Sequence, residues 1–263
     1  MSDFFGHVAL TSAITTGFVS APLLMWCMLL WAIQYRWLKS RGKGGREAVE
    51  KQWLNWFEVI KFVSGAGGAA AITYFHYKKQ CDHVSHKVLA YLLGVNIGEA
   101  VLSDIQKSWR RIPNAFAGLV LILTIPYEFA NVDTLKEQML LEEKLLFPTS
   151  FSWIALYTTW NAAFSYGGDW SWSTRLILIA PLIACFNFGT TDVWLSARCQ
   201  SLMLNMIMRA SETTRFYTPD GNCFITQKSI GGQRTFQHND SVHTVWILIN
   251  FISAIFLYFG TLT

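Results

Sequence analysis

The chain has 263 residues, of which 52% are hydrophobic, 15% are aromatic and only 14% are charged. A typical soluble domain carries about 25% charged residues, so this composition argues against a water-soluble enzyme. Its 12 Trp residues are typical of a membrane protein, because Trp concentrates where hydrocarbon meets lipid headgroups. The net charge of +4 reflects Lys and Arg in a few loops and gives no indication of nucleic-acid binding.

Eight apolar segments follow one another along the chain, and each comes close to the roughly 20 residues that a membrane-spanning helix needs. They occupy residues 7–34, 53–77, 88–106, 114–130, 151–167, 173–189, 193–208 and 242–262. The seventh segment is short and contains several polar residues. Because none shows strand-period alternation, the sequence predicts an all-α fold, a polytopic transmembrane bundle of about eight helices in a single domain, residues 1–263.

The distribution of Lys and Arg predicts the orientation. With eight spans, fourteen of these residues lie in loops on one side and five on the other, while Lys61 and Arg198 lie within segments. With seven spans the split is ten to nine. Loops rich in Lys and Arg stay in the cytoplasm, so both termini are expected on the non-cytoplasmic side. The same orientation predicts that the polar stretch 213–240 is a cytoplasmic loop. The expected location is therefore a membrane crossed several times, the inner membrane if the source is bacterial.

Polar and ionisable residues recur inside the apolar segments, where they are costly unless they face a bundle interior or a water-filled cavity. They are Lys61 in the second segment, Asn96, Glu99 and Asp104 in the third, Tyr157 and Asn161 in the fifth, and Arg198 and Gln200 in the seventh. We expect a central network in which Glu99 pairs with Lys61 or Arg198. The alternative is that the polar residues only hold neighbouring helices together, as Asn, Ser and Gly commonly do in membranes.

No metal or cofactor is expected. His76, His83 and His86 lie at the outer ends of the second and third segments, but their spacing matches no zinc motif. The sequence also lacks the His-Glu-x-x-His, Cys-x-x-Cys, phosphate-loop and Gly-x-Ser-x-Gly patterns. The expected partners are the lipid bilayer and a small ion or solute, without nucleic acid, and a homo-oligomer is left open.

Five short runs, in this order, resemble a family of bacterial multi-spanning membrane proteins known only as a domain of unknown function. The runs are Trp56–Lys61, Asn96–Val101, Asn114–Gly118, Tyr157–Asn161 and Trp194–Gln200. The resemblance spans residues 53 to about 210. It implies that Lys61, Glu99, Asn161, Arg198 and Gln200 belong to a shared polar core, and it implies no activity.

The leading functional hypothesis is movement of a small ion, proton or polar solute through the polar centre. Lys61, Glu99 and Arg198 would form a network that switches when Glu99 is protonated, a relay of the kind that proton-coupled carriers use. The polar lining would come from Asn96, Asn161 and Gln200.

Two other functions are kept open. A membrane-embedded enzyme would use Glu99 as a general acid on an isoprenoid-like substrate, with Asp104 as the second acidic group and aromatic rings stabilising a carbocation. Lys61 and Arg198 argue against this enzyme, because their positive charges disfavour a cation in the same pocket. The third possibility is a structural subunit of a membrane complex, in which the polar core is purely architectural.

Overall fold

The computed structural model describes residues 56–78, 83–128, 147, 149–166, 172–212 and 239–262. All secondary structure in these ranges is helical, which confirms the all-α class for them. The helices are α1 (Trp56–Lys78), α2 (His83–Lys107), α3 (Ile112–Glu128), α4 (Phe151–Tyr166), α5 (Trp172–Phe188), α6 (Trp194–Glu212) and α7 (Asp240–Leu262). Short 3-10 turns, Trp109–Arg111 and Thr191–Val193, lead into α3 and α6. The predicted first span 7–34 and residues 213–238 of the predicted loop lie outside the described residues.

The described helices lie where the second to eighth apolar segments predicted them. The largest difference is at the start of α2, which begins at His83 instead of residue 88. Four of the first five residues of α2 are polar or charged, and a criterion based on apolar residues overlooks them although the backbone helix continues. For the same reason α6 extends to Glu212, beyond the predicted end at residue 208.

Six of the helices form a closed ring. Each helix from α1 to α5 packs against the next one in the chain, and α6 packs back against α1. Helix α7 lies beside this ring, where it contacts α3 and α4. A closed ring gives its members a common interior, so polar side chains that point inward from different helices are brought near one another.

Helix α4 supplies an aromatic wall to that interior. Trp153, Tyr157 and Trp160 are each at most 1% exposed, and their spacing of four and three residues places them on one face of the helix. They belong to the main apolar cluster, together with Leu121 of α3 and Leu195 of α6. Large buried rings fill much volume with few rotatable bonds, so this part of the core is firmly packed.

The connection between α5 and α6 determines where α6 begins. Gly189 adopts a φ of +68°, a left-handed conformation that glycine takes without steric cost. The N–H of Thr190 then donates to the carbonyl of Cys185 at 3.2 Å, which satisfies a free carbonyl at the end of α5. The Thr190 hydroxyl accepts the N–H of Asp192 at 3.2 Å. This capped turn starts α6 at Trp194.

The outward faces of α2, α3 and α7 carry large apolar side chains. Examples are Tyr91 on α2 at 74% exposed, Leu123 on α3 at 58% and Phe256 on α7 at 75%. Two stretches of the described residues, Lys87–Lys107 and Asp240–Gly260, are long and apolar enough to cross a membrane. In the apolar window of the second stretch only 22% of residues are buried, whereas the core helix of a water-soluble protein is mostly buried. Helix α7 thus presents most of its apolar surface outward.

Candidate functional site

Arg198 is the most deeply placed cation whose side chain the structure describes. It lies in the second turn of α6 and is 3% exposed. Its Nε donates a hydrogen bond to the Tyr157 hydroxyl of α4 at 3.1 Å, and Nη1 donates to the carbonyl oxygen of Ile177 of α5 at 3.3 Å. The guanidinium carbon also lies 5.4 Å from the centroid of the Tyr157 ring. Arg198 thereby joins three neighbouring helices.

The Tyr157 ring is held by its aromatic neighbours. It stacks on Trp153 with centroids 5.4 Å apart and meets Trp194 of α6 edge-on at 4.9 Å. Trp153 is itself fixed, because its indole Nε1 donates to the Thr124 hydroxyl of α3 at 3.0 Å. The Asn161 amide, one turn along α4, donates to the Tyr157 hydroxyl at 3.4 Å. The hydroxyl that receives Arg198 is therefore positioned by contacts from α3, α4 and α6.

The contacts of Arg198 correct one part of the predicted network. In the described part of the chain its polar partners are a phenol and a backbone carbonyl, both neutral, and the predicted pair with Glu99 is not found. The rotation of α6 explains the difference, because it directs Arg198 toward α4 and α5 while Glu99 belongs to α2. Glu99 is 4% exposed. The side chain of its other predicted partner, Lys61 of α1, lies outside the described residues.

A second polar group lies where α2 turns into α3. Asp104 and Asn114 are each 1% exposed, and the Asn114 amide donates to Asp104 Oδ2 at 2.7 Å. Arg111 donates from Nη1 to Asp104 Oδ1 at 3.3 Å, the ion pair that the described residues contain. The backbone carbonyl oxygen of Asn114 accepts the indole N–H of Trp160 at 2.8 Å. We call these four residues, Asp104, Arg111, Asn114 and Trp160, the Asp104 cluster. It ties α2, α3 and α4 together.

Gly118 lies one turn after Asn114 and permits the close approach on which the Asp104 cluster depends. A Cβ atom at this position would lie 2.5 Å from Cγ2 of Val101 and 2.9 Å from Cζ2 of Trp160. Both distances are far below a normal carbon contact, so any larger residue would push α2 and α4 away from α3. The run Asn114–Gly118 therefore combines a polar anchor with a small residue on one face of α3.

Gln200 does not join Arg198. It is fully buried, and neither its amide oxygen nor its amide nitrogen has a hydrogen-bond partner among the described residues. Two residues along an α-helix correspond to a rotation of about 200°, so Gln200 and Arg198 lie on nearly opposite faces of α6. On α2, Asn96 is half-buried and its amide donates to the Ser64 hydroxyl of α1 at 3.4 Å. The predicted polar residues are thus distributed over several separate contacts.

A model of a family of unknown function, DUF5692, matches residues 4–259 of the chain. The chain belongs to this family. No curated protein and no solved structure matches it. The five runs between residues 53 and about 210 indicated membership of a family of unknown function, and the match confirms it. The matched range also extends beyond these runs toward both ends of the chain. That the members of DUF5692 are multi-spanning membrane proteins remains a prediction.

Sequence reasoning overlooked several polar contacts of this DUF5692 chain. The His243 Nε2 lies 3.0 Å from the carbonyl oxygen of Ala163, and the Asn250 amide donates to the carbonyl oxygen of Thr159 at 3.2 Å. Both connect α7 to α4. The seven-residue spacing of His243 and Asn250 would have indicated a common face. Arg111 and Trp160 were also not selected, because their partners lie on other helices. In the described residues no group of His, Cys, Asp and Glu is arranged to hold a metal ion.

Proposed function

We propose that this DUF5692 chain is a multi-spanning membrane protein that moves a small ion, proton or polar solute through the interior of its helical ring. The observation that carries the proposal is Arg198, a permanently charged side chain that is 3% exposed. Its partners in the described part of the chain are neutral. A buried charge without a counter-charge costs several kcal/mol, and inside a membrane such charges usually mark substrate or ion pathways.

The membrane location is supported by the outer surface. Exposed apolar side chains on α2, α3 and α7 would be unfavourable in water and favourable in hydrocarbon. The two candidate spans, Lys87–Lys107 and Asp240–Gly260, agree with this interpretation. The proposal extends it to the full set of eight spans, with both termini on the non-cytoplasmic side, on the basis of the apolar segments and the fourteen-to-five distribution of Lys and Arg.

In the proposed topology the two polar groups lie at different depths. The Trp109–Arg111 turn faces the cytoplasm, so the Asp104 cluster would close the cytoplasmic end of the ring. Arg198 and Tyr157 would form the solute-binding level farther inside. Glu99 lies on α2 about one turn and a half before Asp104, on the side away from the cytoplasmic end in this topology. Transport would require the Asp104–Arg111 pair to open while Glu99 exchanges a proton or a cationic partner such as Lys61.

Reconstitution into liposomes tests this proposal. Proton flux would be followed with an enclosed pH dye, and uptake of labelled potassium, chloride and acetate would be measured in parallel. We expect at least one flux above that of empty liposomes, and we expect Glu99→Gln, Lys61→Ala and Arg198→Gln to reduce it at least tenfold. Ile252→Ala, on the exposed face of α7 at 52% exposed, is the matched control and should retain it. If the three polar variants fold and transport as well as the parent, the mechanism is wrong.

A structural subunit is the second candidate, and the helix-to-helix hydrogen bonds favour it. Trp160 with Asn114, His243 with Ala163, and Asn250 with Thr159 each join two helices. Such bonds stabilise membrane bundles without any transport role. This candidate predicts that no polar group of the ring interior is reached by water-soluble reagents.

The enzyme hypothesis loses support from the position of Arg198. Its guanidinium already lies over the Tyr157 ring at 5.4 Å. A carbocation intermediate would therefore meet a fixed positive charge on the same aromatic surface that was expected to stabilise it. The two charges repel, so we do not propose isoprenoid chemistry at this site.

A further inference from the structure

We propose that Arg198 is the recognition group for a monovalent carboxylate, bound between α4, α5 and α6. This inference rests on the proposed function for its biological meaning, because it names the class of solute that would be moved. The binding step itself is independent of transport. The juxtaposition that carries the inference is a buried guanidinium with free donors beside the Tyr157 ring, which Trp153 and Trp194 hold in place.

Arg198 carries a charge that no carboxylate balances in the described part of the chain. An arginine stays protonated in proteins, whereas a buried lysine can lose its proton. Arg198 therefore keeps its positive charge at 3% exposure. The hydroxyl of Tyr157 and the carbonyl of Ile177 provide partial negative charge only. Among the described residues no carboxylate neutralises Arg198, so an anion of one unit charge would complete the site.

The Arg198 guanidinium has more hydrogen-bond donors than acceptors among the described residues. A guanidinium has five N–H groups in one plane. Arg198 uses the Nε group toward Tyr157 and one Nη1 group toward Ile177. The other three, all on the two terminal nitrogens, have no acceptor in the part of the chain that the structure describes. A planar carboxylate accepts two parallel N–H groups of this kind, one on each oxygen. Chloride is a single spherical ion and does not offer two separate acceptors.

The Tyr157 ring beside Arg198 is tightly packed. It lies 5.4 Å from the guanidinium carbon, is 1% exposed and contacts Trp153 and Trp194, which are 0% and 1% exposed. An ion pair is stronger in such a poorly polar environment than in water. The surroundings therefore favour the pairing of Arg198 with the carboxylate of a small organic acid.

Ligand-dependent stability of the purified full-length protein in detergent tests the proposal. The thermal midpoint would be followed during titration with sodium acetate and sodium benzoate, with sodium chloride and sodium phosphate as the comparison anions at matched ionic strength. We expect a saturable increase with the two carboxylates that exceeds the effect of chloride and phosphate. Arg198→Gln should abolish it. Arg198→Lys, which keeps the charge but not the planar fork, should weaken binding by at least tenfold. Arg198→Lys decides the outcome if Arg198→Gln does not fold.

Thr159→Val is the matched control. It removes an exposed hydroxyl of α4 that bonds to the carbonyl oxygen of Ala155, so carboxylate binding should persist within about threefold. The proposal is overturned if the wild type shows no saturable carboxylate effect, if chloride or phosphate equals the carboxylates, or if Arg198→Lys binds as tightly as the wild type. Saturable binding without any flux in liposomes would leave this inference standing and refute the transport proposal. Flux without carboxylate binding would refute this inference and leave the transport proposal standing.

Discussion

Replacing Gly118 by alanine tests the packing where α2, α3 and α4 meet. The added methyl group would lie 2.5 Å from Cγ2 of Val101 and 2.9 Å from Cζ2 of Trp160. Neither neighbour moves easily, since Val101 is 3% exposed and Trp160 is held by its hydrogen bond to the Asn114 carbonyl at 2.8 Å. Overpacking of this kind typically costs about 1–3 kcal/mol. Replacing glycine by alanine inside a helix gains only about 0.5–1 kcal/mol, so the overpacking dominates.

The 2.5 Å contact favours the upper part of the overpacking range, about 2–3 kcal/mol. After the glycine term is subtracted, we expect Gly118→Ala to lower the free energy of unfolding by about 1–2.5 kcal/mol. The measurement is equilibrium unfolding in mixed detergent micelles, followed by the loss of helical circular dichroism. Gly98→Ala is the matched control, because its added methyl group would lie 3.9 Å from Cδ1 of Ile122, an ordinary contact. It should be neutral or slightly stabilising.

A double variant gives a second check on the same reasoning. Combining Gly118→Ala with Val101→Ala removes the closest contact, so the two changes should compensate each other by at least about 0.5 kcal/mol. If Gly118→Ala is as stable as Gly98→Ala, or if the two changes are simply additive, the close approach of α2 and α3 at Gly118 is not as described.

Three further predictions concern the polar contacts. Asp104→Asn removes the charge that Arg111 meets at 3.3 Å and should lower the free energy of unfolding by about 1.5–3 kcal/mol, measured as above; an unchanged stability would contradict the buried pair. Tyr157→Phe leaves Arg198 Nε and the Asn161 amide without their shared acceptor, so it should lower the free energy of unfolding by about 1–3 kcal/mol. Thr159→Val, at an exposed hydroxyl of α4, is the control and should lower it by less than half as much. His243→Leu breaks the contact with the Ala163 carbonyl and should cost about 0.5–1.5 kcal/mol; a thermal midpoint equal to that of Val245→Leu, on the exposed face of α7, would argue against it.

The positions of the helices were predictable from the sequence because each apolar stretch is bounded by polar or charged residues. The four-residue spacing of Tyr157 and Asn161 likewise predicts that they share a face of α4, and the hydrogen bond between them shows that they meet. Periodicity within one helix is local information. It requires no knowledge of which helices are neighbours.

The partners of the buried charges were not predictable in the same way. Arg198 contacts Tyr157 and Ile177 because of the rotation of α6 about its axis and its place between α4 and α5. Neither quantity follows from hydropathy. Charge pairing in the sequence favoured Glu99 as the partner, since opposite charges attract at any position. The ring order of the helices, which only packing determines, directs Arg198 elsewhere.

The Asp104 cluster shows an intermediate case. Its acidic residue was selected from the sequence, but its partners Arg111 and Asn114 follow after the Trp109–Arg111 turn. The geometry of that turn brings them back onto α2. Ser108 fixes it by accepting the N–H of Arg110 on its side-chain oxygen at 3.3 Å. A local capping interaction thus decides a contact between two helices.

Accessibility of introduced cysteines tests the central claim most directly, because it asks whether the ring interior connects to water. The five native cysteines would be removed. Single cysteines would replace the buried Ser103 of α2 and Ser201 of α6 and the half-buried Asn161 of α4, which the proposal places in the ring interior. Leu119 and Ile252, at 45% and 52% exposed, would be the outward-facing controls. A membrane-impermeant thiol reagent would be applied from each side of oriented vesicles. The proposal predicts labelling of the three interior positions from both sides, protection of at least one of them by the transported solute, and no labelling of the two controls. Interior cysteines that remain unlabelled from either side, in a protein that is folded, would contradict transport and support the structural subunit.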